Sequence, residues 1–460
     1  MQEPQNVVVI IADDLSNTLG CYGAAGVISP NIDRLAARGI KFDRAYCQAS
    51  LCNPSRASIL SGRRPHQLGI WDNDPHFRGI YPRLVTLPQH FKENGYHSVG
   101  IGKIFHNWAQ AIEGDPISWS EPQIHHWGIH AQDWYVAGRV YRAHTDLPKG
   151  AAVQSVDVPD EAYLDGRIAN AAVDKLRELQ ETPFFLAVGF WKPHLPYNAP
   201  QRYWDLYDRN KLPQVIYTDP VGGVSEFNYV DSDEARSYTD VPKEGPVPVD
   251  KQQELRHGYL AAISYLDAQV GKILDELDRL DLTDNTTIVF VSDHGYHAGE
   301  HGQFGKWTNF EQGTRVPLII ASPGNTRPKT ASNSLVELVD LYPTLLEVAD
   351  LPAPRDEDKM GGTSILTVLK DPTASVNSYA VSQISRPLGA GPDFGILGST
   401  IRNADYRYTE WTDRATDSIL AQEFYDLTDN MFTVDNRAND PRYANQLQAL
   451  RDAMKSILAE

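Results

Sequence analysis

The sequence predicts an α/β protein with a large central, mostly parallel sheet flanked by helices, and a smaller C-terminal α+β subdomain built on an antiparallel sheet. Apolar strand-like runs alternate with amphipathic segments over most of the chain, and the composition changes after about residue 350. Strands that alternate with helices favour a parallel sheet covered on both faces, so the alternation predicts the fold of the main domain. The change in composition predicts where that domain ends.

Four apolar runs are typical of buried parallel strands, since they are rich in Val, Ile and Phe without polar alternation. They read VVVIIADD from residue 7, HSVGIGK from 97, PFFLAVGF from 183 and TTIVFVSDHG from 286. The spacing of apolar residues predicts helices at 30–39, 87–95, 163–180 and 255–280. The strands and helices therefore alternate as a doubly covered sheet requires.

Two further segments differ from this pattern. Residues 205–249 lack clear periodicity and are rich in Pro, Asp, Tyr and Ser, which predicts a surface insertion that shapes the rim of a pocket. After the connection LPAPRDEDKMGG, the runs YRYTEW and EFYDL predict antiparallel strands, and residues 441–460 predict a final helix. We therefore divide the chain into a main domain at 1–350 and a C-terminal subdomain at 351–460.

Composition and charge exclude several classes of protein. The 460 residues are 41% hydrophobic and 22% charged, as in ordinary globular proteins. No run approaches the roughly 20 apolar residues of a membrane-spanning helix. The net charge of −18 disfavours nucleic acid and anionic membrane surfaces as partners, because both attract basic proteins.

The three cysteines, Cys21, Cys47 and Cys52, cannot form a disulfide framework, and at least one must be unpaired. The first residues show no basic stretch followed by a long apolar one, so no signal peptide is visible. These two features leave the cellular compartment open.

Acidic residues follow two of the predicted strands. Asp13 and Asp14 end the first, and Asp293 with His294 ends the run VFVSDHG. Each pair alone is equally typical of strand-end acids that cap a helix or turn. Ligands bind at the carboxyl edge of open α/β sheets, and several carboxylates at one point suit a hard cation such as calcium. The two pairs together predict a calcium site.

Cys52 opens the string CNPSRASILSGRRP, with Arg56 about one helical turn further on. A lone buried cysteine is usually an inert small hydrophobe. An arginine at this spacing can hold an anion or developing negative charge beside the cysteine. The string therefore marks Cys52 as a candidate for chemistry.

These residues carry a resemblance to the sulfatases of the alkaline phosphatase superfamily. CNPSR followed by LSGR resembles the signature in which the cysteine becomes formylglycine, and PNIDRLAARGIKFDRAYCQAS resembles the segment before it. IIADD, GIGKIFH, FFLAVGFWKPHLPY and VSDHGYHAGEHGQFGKWTNFEQGTRVPLI follow in the expected order. The resemblance is dense over about residues 5–350, is looser beyond, and is strongest to the iduronate 2-sulfatase branch, which includes bacterial polysaccharide sulfatases.

The resemblance implies an alkaline phosphatase-like fold with residues 1–350 as the catalytic domain. It implies that one Ca²⁺ is held by Asp13, Asp14, Asp293, His294 and the modified Cys52. Asparagine often replaces the histidine at 294 in the family, so the ligand set departs slightly from the usual one. It further implies that the sulfate is surrounded by Lys103, His106, His194 and Lys306, with Arg56 steadying the modified cysteine.

The implied chemistry explains these residue types. A hydrated aldehyde offers one hydroxyl to attack sulfur, with Asp14 or Asp293 taking its proton, while its second hydroxyl later expels sulfate with His106 as base. His194 or Lys306 would protonate the leaving sugar oxygen. An ordinary serine or cysteine would instead form a covalent sulfate that water attacks slowly.

Other basic residues lie in or beside these motifs. We expect Lys192, Arg63 and Arg64 to join Lys103, Lys306 and Arg56 in a cationic pocket, which would reconcile an acidic protein with an anionic substrate. His297 and His301 are expected to be structural. Plausible sugar contacts, each equally typical of packing, are Trp71, Asp72, Trp108, Trp191 and Arg402.

Three alternatives stay open. The first is a phosphate or phosphonate monoester hydrolase of the same superfamily, although ligands for a second metal are not evident. The second is a non-catalytic binding protein with the same fold. The third is a metal-free cysteine hydrolase, which would leave Asp13, Asp14 and Asp293 unexplained.

The branch that the chain resembles implies a 2-O-sulfated uronic acid, or a related sulfated sugar of an oligo- or polysaccharide, as substrate. A formylglycine-generating maturation enzyme is the second implied partner. Bacterial members of the branch are usually exported, so we expect a periplasmic or secreted protein.

Overall fold

The computed structural model describes residues 5–106, 112, 114–124, 150–212, 223–323, 329–355, 359–390 and 393–459. Its main elements are a seven-stranded sheet with helices on both faces and a separate four-stranded antiparallel sheet. The predicted fold class is confirmed.

The strands, in chain order, are β1 (Asn6–Asp13), β2 (Ile40–Tyr46), β3 (His97–Gly102), β4 (Val153–Val156), β5 (Phe184–Pro193), β6 (Tyr197–Pro200), β7 (Thr286–Ser292), β8 (His297–Ala298), β9 (Phe304–Gly305), β10 (Arg315–Ala321), β11 (Thr330–Glu337), β12 (Ala380–Arg386), β13 (Ile396–Arg402), β14 (Tyr406–Asp413) and β15 (Ile419–Asp426).

The α-helices of the described residues are α1 (Pro30–Arg38), α2 (Cys52–Ser61), α3 (Pro65–Leu68), α4 (Leu87–Glu93), α5 (Leu164–Leu179), α6 (Gln201–Trp204), α7 (Asp233–Arg236), α8 (Val249–Arg279), α9 (Glu311–Thr314), α10 (Leu341–Val348), α11 (Leu366–Lys370) and α12 (Ala444–Leu458).

The large sheet has the strand order β11-β2-β10-β7-β1-β5-β3. β1 pairs in parallel with β5 and β7, and β3 pairs in parallel with β5. β10 runs antiparallel to both β7 and β2, so the sheet is mostly but not wholly parallel. The direction of β10 does not follow from its apolar pattern, because RVPLIIA fits a buried strand that runs either parallel or antiparallel to its neighbours.

β1 occupies an interior position of this sheet, and all eight of its residues are buried. Its register with β7 pairs Ala12 with Ser292, so the two strands end side by side. The residues at the two strand ends therefore meet at the carboxyl edge of the sheet: Asp13, the last residue of β1, and Asp14 on one side, and Asp293 and His294 after β7 on the other.

The two faces of the sheet carry separate apolar cores. One core packs residues of β1, β3, β5 and β7 against α1, α5 and α8. The other packs residues of β1, β2, β5, β7, β10 and β11 against α2, α4 and α10. The helices predicted at 30–39, 87–95, 163–180 and 255–280 correspond to α1, α4, α5 and α8. Only α8 is clearly longer than predicted, since it begins at Val249.

The smaller sheet has the order β12-β13-β14-β15, with every pairing antiparallel. Leu450 and Met454 of α12 pack on its apolar face. This sheet begins at Ala380, and α11 before it still packs on the core of the large sheet. None of the described helices is both long enough and apolar enough to cross a membrane.

Candidate functional site

Cys52 lies at the first position of α2, a helix whose ten residues are all buried. Its side chain is 1% exposed. The free N–H groups of the first helical turn give this end of α2 a partial positive charge. Because α2 packs between the large sheet and α10, the cysteine is fixed in place at the carboxyl edge of β1 and β7.

The acids predicted from the two strand ends surround this cysteine. Sγ of Cys52 lies 3.5 Å from Oδ1 of Asp13 and 3.2 Å from Nε2 of His294. Asp13, Cys52, Asp293 and His294 each place a ligand atom within 4.8 Å of the others, and all four are buried. The structure thus brings the predicted metal residues into one cluster.

The donor atoms of this cluster fit a hard cation. Nδ1 of His294 donates to the Gly295 carbonyl at 2.9 Å, which leaves the lone pair of Nε2 facing Oδ1 of Asp14 at 3.4 Å. Oδ2 of Asp14 is buried and has no hydrogen-bond partner among the described residues. A lone pair and a carboxylate oxygen that face each other in a buried site are stabilised by a cation between them.

Asp14 also belongs to a second possible ligand group, formed with Cys52 and His194. The two groups share Cys52, and within the described ranges no further set of three such ligands was found. The arrangement therefore indicates one metal centre in this part of the chain. Asp14 reaches it through a left-handed backbone conformation, with φ of 62°.

Two buried lysines face the acids. Nζ of Lys103 lies 2.5 Å from Oδ2 of Asp13, and Nζ of Lys306 lies 2.6 Å from Oδ1 of Asp14. Nζ of Lys306 is also 3.5 Å from Sγ of Cys52. The nucleophile position is therefore flanked by carboxylates and ammonium groups together.

These contacts shift the pKa values of the cluster. Burial alone would raise the pKa of Asp13, but Lys103 and other cations hold it well below its ordinary value. Burial raises the pKa of Asp293 and, together with the nearby Asp13, raises the pKa of the Cys52 thiol well above its ordinary value. The unmodified cysteine is therefore a protonated thiol in these surroundings.

Arg56 is fully buried and ties three parts of the site together. Its Nε donates to Oδ2 of Asp293 at 2.8 Å, and one terminal nitrogen lies 3.5 Å from Oδ1 of Asp13. The other terminal nitrogen donates to the carbonyls of Lys103 and Ile104. Arg56 therefore orients Asp293 and the loop after β3, and its hydrogen bonds go to that acid and to the loop carbonyls.

The two predicted catalytic histidines reach the site from different loops. His106 follows β3 and is 3% exposed; burial and the nearby Lys103 hold its pKa well below the ordinary value, so its ring is neutral. His194 follows β5, and its Nδ1 donates to the Leu195 carbonyl at 2.6 Å. Its Nε2 lies 3.9 Å from Oδ2 of Asp14.

Glu234 is a site residue that the sequence did not identify. It lies in α7, and its Oε1 is 3.1 Å from Nε2 of His194 while its Oε2 is 3.3 Å from Nζ of Lys306. The only signal for it was the prediction that the insertion at 205–249 shapes a pocket rim. Residues 213–222 of that insertion lie outside the described residues.

The prediction of a wider cationic pocket is wrong for three residues. Nζ of Lys192 donates to the Pro196 carbonyl and to the Asn198 side chain, at 2.8 and 2.5 Å. Arg64 forms a buried ion pair with Glu337, and Arg63 donates to the Lys359 carbonyl. These side chains point toward local structural partners because each has an acceptor within reach in its own part of the fold.

Arg402 is likewise wrong as a sugar contact. It is 1% exposed, with one terminal nitrogen 3.4 Å from Oε1 of Glu311 and its guanidinium 5.1 Å from the centre of the Tyr46 ring. It therefore helps to hold the smaller sheet to α9, which carries Glu311. Trp108, also a predicted sugar contact, lies outside the described residues.

The remaining sugar-contact candidates lie near the site. Trp71 is half-buried, with its ring 5.3 Å from that of Phe394. The carbonyl of Asp72 accepts a hydrogen bond from the Asn53 side chain at 2.7 Å, next to Cys52. Trp191 is 5% exposed, so Trp71 offers the most accessible ring of these three.

His297 and His301 lie in the core beside the site. Nε2 of His297 is 2.8 Å from the hydroxyl of Thr308, and the ring of His301 packs on Phe310. Burial lowers the pKa of His297 to about 3 and that of His301 to about 4. Both contacts are those of structural histidines.

The chain is similar in sequence to known sulfatases. The family model described as Sulfatase matches residues 5–351, and the model described as N-sulphoglucosamine sulphohydrolase, C-terminal, matches residues 299–460. Iduronate 2-sulfatase of Homo sapiens is 34% identical over 517 residues, covering 97% of this chain and 93% of the relative. A sulfatase of Formosa agariphila is 30% identical, covering 97% of this chain and 85% of the relative.

Solved structures share the fold at lower identity. A protein in complex with its substrate D-glucosamine-2-N,6-O-disulfate superposes with a TM-score of 0.79 at 22% identity, covering 99% of this chain and 97% of that chain. A phosphonate monoester hydrolase from Silicibacter pomeroyi superposes with a TM-score of 0.78 at 22% identity, covering 98% and 94%. Because the Sulfatase family model matches residues 5–351, which is most of the chain, the chain belongs to the sulfatase family, whose members hydrolyse sulfate esters.

Proposed function

We propose that this enzyme is a calcium-dependent sulfatase that removes sulfate from a sulfated saccharide, using a formylglycine made from Cys52. One observation carries the proposal most directly. Cys52 stands at the start of α2 with Asp13, His294 and Lys306 all within 3.5 Å of its sulfur. A carboxylate and an imidazole that suit a metal, and an ammonium group that suits a sulfate, thus lie around the residue that the family signature modifies.

The state of the thiol supports modification. Because burial and Asp13 raise the pKa of Cys52, the unmodified side chain is a poor nucleophile near neutral pH. A metal-free cysteine hydrolase would need the opposite shift. Formylglycine at this position would supply a hydroxyl nucleophile when its aldehyde is hydrated.

Asp13, Asp14, Asp293 and His294 are the residues that would hold the calcium ion, together with the modified side chain at 52. The ion would supply Lewis acidity next to the nucleophile and neutralise charge on the sulfate. Arg56 holds Asp293 in position through the 2.8 Å bond to its Oδ2.

Lys103 and Lys306 are placed to neutralise the sulfate oxygens. Both ammonium groups are buried, and although burial alone would lower their pKa values, Asp13 and Asp14 respectively raise them. Both lysines therefore stay charged. A preorganised donor of this kind is typically worth about 10²–10³ in rate.

Protons are assigned to three side chains. His194 or Lys306 donates a proton to the sugar oxygen as the sulfur–oxygen bond breaks, since both lie beside Asp14 on the side of the site that faces α7. His106 accepts a proton during sulfate release. Its neutral ring, which follows from its lowered pKa, has the lone pair that this role requires.

The substrate class is proposed from the relatives. Iduronate 2-sulfatase is among the most similar curated proteins, and the C-terminal family model is named for a sulphoglucosamine sulphohydrolase. A 2-O-sulfated uronic acid or a related sulfated sugar of an oligo- or polysaccharide is therefore the first substrate to test.

A maturation enzyme is a necessary partner in this proposal. Cys52 is 1% exposed, and the whole of α2 is buried. A modifying enzyme cannot reach this side chain in the folded protein, so oxidation of Cys52 must precede the packing of α2.

The second candidate is a phosphate or phosphonate monoester hydrolase. It is favoured by the phosphonate monoester hydrolase whose fold superposes with a TM-score of 0.78. It would use the same metal cluster and the same lysines, so only the released product separates it from the first proposal.

The deciding experiment measures sulfate and phosphate release from a panel of sulfated oligosaccharides, phosphate esters and phosphonate esters. The protein is co-expressed with a formylglycine-generating enzyme, and Cys52→Ala is the control. Sulfate release by the matured wild type alone supports the proposal, and the reactive oligosaccharide identifies the sugar. Phosphate or phosphonate release without sulfate release, or full activity in Cys52→Ala, contradicts it.

A further inference from the structure

We infer that Glu234 is a positioning residue that holds the two leaving-group proton donors, His194 and Lys306, in their working orientation. This inference rests on the proposed function, because it assigns a task to a carboxylate on the leaving-group side of that site. Glu234 comes from the insertion at 205–249 and not from any of the motif blocks of the family.

The contacts of Glu234 single it out among the acids of the site. Its two oxygens are divided between two different donors, with Oε1 3.1 Å from Nε2 of His194 and Oε2 3.3 Å from Nζ of Lys306. The same two donors contact Asp14 on their other side, at 3.9 and 2.6 Å. His194 and Lys306 therefore lie between a metal-site acid and an acid that is outside every metal-ligand group found in the described residues.

The ring of His194 is fixed from both ends. Its Nδ1 donates to the Leu195 carbonyl at 2.6 Å, so its Nε2 is the atom available to a substrate. Glu234 sets the direction of that nitrogen. Loss of the carboxylate would remove the shorter of the two acid contacts to Nε2, since Asp14 lies 3.9 Å away.

Hydrogen bonds at both ends of α7 fix the position of Glu234 before any substrate binds. The hydroxyl of Ser232 accepts a hydrogen bond from the backbone N–H of Phe304 at 2.8 Å, which joins the start of α7 to β9. Arg236, at the end of α7, donates to the carbonyls of Asp231, Pro242 and Gly245. The short helix is thus pinned on both sides, and the side chain of Glu234 is only 11% exposed.

The chemistry gives this arrangement a specific consequence. When the bond between sulfur and the sugar oxygen breaks, the oxygen keeps the bonding electron pair and takes a proton. The donor is Nζ of Lys306, which carries three protons, or Nε2 of His194, whose single proton then passes from its contact with Glu234 to the sugar oxygen. A sugar alkoxide is a poor leaving group without that proton, whereas a nitrophenolate is a stable anion that leaves without it. Glu234 should therefore matter for sugar sulfates and matter little for nitrophenyl sulfate.

The experiment compares matured wild type with Glu234→Ala and Glu234→Gln on a sugar sulfate that the wild type hydrolyses and on para-nitrophenyl sulfate. Asp233→Asn is the matched control, because Asp233 precedes Glu234 in α7 but is exposed. The formylglycine content of each protein is measured by mass spectrometry, so that kcat is expressed per modified molecule.

We expect Glu234→Ala to lower kcat on the sugar sulfate by roughly 10- to 100-fold, within the range that general acid catalysis supplies, and to change KM much less. On para-nitrophenyl sulfate its kcat should stay within about threefold of wild type, because proton donation contributes little there. Glu234→Gln keeps one acceptor oxygen and should lie between wild type and Glu234→Ala. Asp233→Asn should match the wild type on both substrates.

Equal loss on both substrates would show a merely structural role for Glu234 and overturn the inference, as would unchanged activity on the sugar sulfate. These results differ from a failure of the proposed function, in which the matured wild type itself releases no sulfate from either substrate and the inference falls with it.

Discussion

Nε of Arg56 donates a hydrogen bond to Oδ2 of Asp293 at 2.8 Å, and both side chains are completely buried. The bond joins the second turn of α2 to the residue that follows β7. Arg56 therefore fixes the position of Asp293, one of the proposed metal ligands, in addition to its proposed effect on the side chain at position 52.

Arg56→Lys should lower activity by at least about 100-fold and weaken calcium binding, because a single ammonium group cannot serve Asp293 and the carbonyls of Lys103 and Ile104 together. Buried acceptors left without donors cost about 1–3 kcal/mol. Calcium titration followed by thermal unfolding measures the change. Arg63→Lys, whose partner is the Lys359 carbonyl outside the site, should behave as wild type, and similar calcium affinity in both variants would contradict this role for Arg56.

Calcium should stabilise the folded enzyme. Asp13, Asp14 and Asp293 lie close together, and an ion bound only in the folded state at 100 times its Kd adds about 2.7 kcal/mol. A chelator should therefore lower Tm and abolish sulfate release, and added calcium should restore both. In Asp13→Asn the Tm should no longer respond to calcium, whereas Asp174→Asn, a change at an exposed carboxylate, should keep the response. A chelator-independent wild-type Tm would contradict the metal assignment.

Glu311 should be essential for joining the smaller sheet to the catalytic part. Its Oε1 accepts from Arg407 at 2.5 Å and lies 3.4 Å from Arg402, and its Oε2 accepts from Tyr46 at 3.1 Å. Glu311→Gln removes the carboxylate that pairs with two buried arginines, and breaking a buried ion pair typically costs about 3–5 kcal/mol.

Thermal unfolding of Glu311→Gln should show a large fall in Tm. Asp174→Asn, which removes the exposed ion pair with Arg177, is the control and should leave Tm unchanged. Equal Tm values for Glu311→Gln and wild type would show that the network does not stabilise the fold.

Stability should fall as pH drops below about 6.5 because His297 is buried as a neutral ring. Burial lowers its folded-state pKa from 6.5 to about 3. Between these two pH values the unfolded chain binds the proton and the folded protein does not, so lowering the pH favours unfolding.

His297→Asn should remove part of this acid sensitivity, on the order of 1–3 kcal/mol between pH 6.5 and pH 4. The measurement is Tm at a series of pH values for both proteins. The variant should be less stable than wild type near neutral pH, where the bond to Thr308 is lost, but should have a flatter profile. Parallel profiles would contradict the assignment of His297 as an acid-sensitive group.

The main fold and the centre of the site could be predicted because they follow from local patterns. β1 and β7 are apolar runs that end in ligands, and parallel strands bring their carboxyl ends to one edge of a sheet. Asp13 and Asp293 could therefore be expected together before their distance was known. The signature around Cys52 added the third component of the same cluster.

The outer part of the site could not be predicted because it depends on tertiary contacts. Glu234 lies in an insertion without periodicity, and only the packing of α7 against β9 directs its carboxylate toward Lys306. Lys192 and Arg64 were predicted to line the pocket because they are charged and lie beside the motifs. Their side chains instead contact the Pro196 carbonyl and Glu337. Charge in a motif indicates proximity to a site, not the direction of the side chain.

The antiparallel direction of β10 was also hidden. A strand buried on both faces has the same apolar composition in either direction, so RVPLIIA carries no sign of its sense. The direction appears only in the antiparallel pairing of β10 with β7 and β2, which is a tertiary feature.

The central claim is that Cys52 becomes formylglycine and that this residue performs the hydrolysis. The most direct measurement determines by peptide mass spectrometry the fraction of formylglycine at position 52 in several preparations, and compares it with their sulfate release from one sugar sulfate. The account predicts activity proportional to the converted fraction and none in Cys52→Ala. Sulfate release by protein that retains an unmodified thiol at position 52 would contradict it.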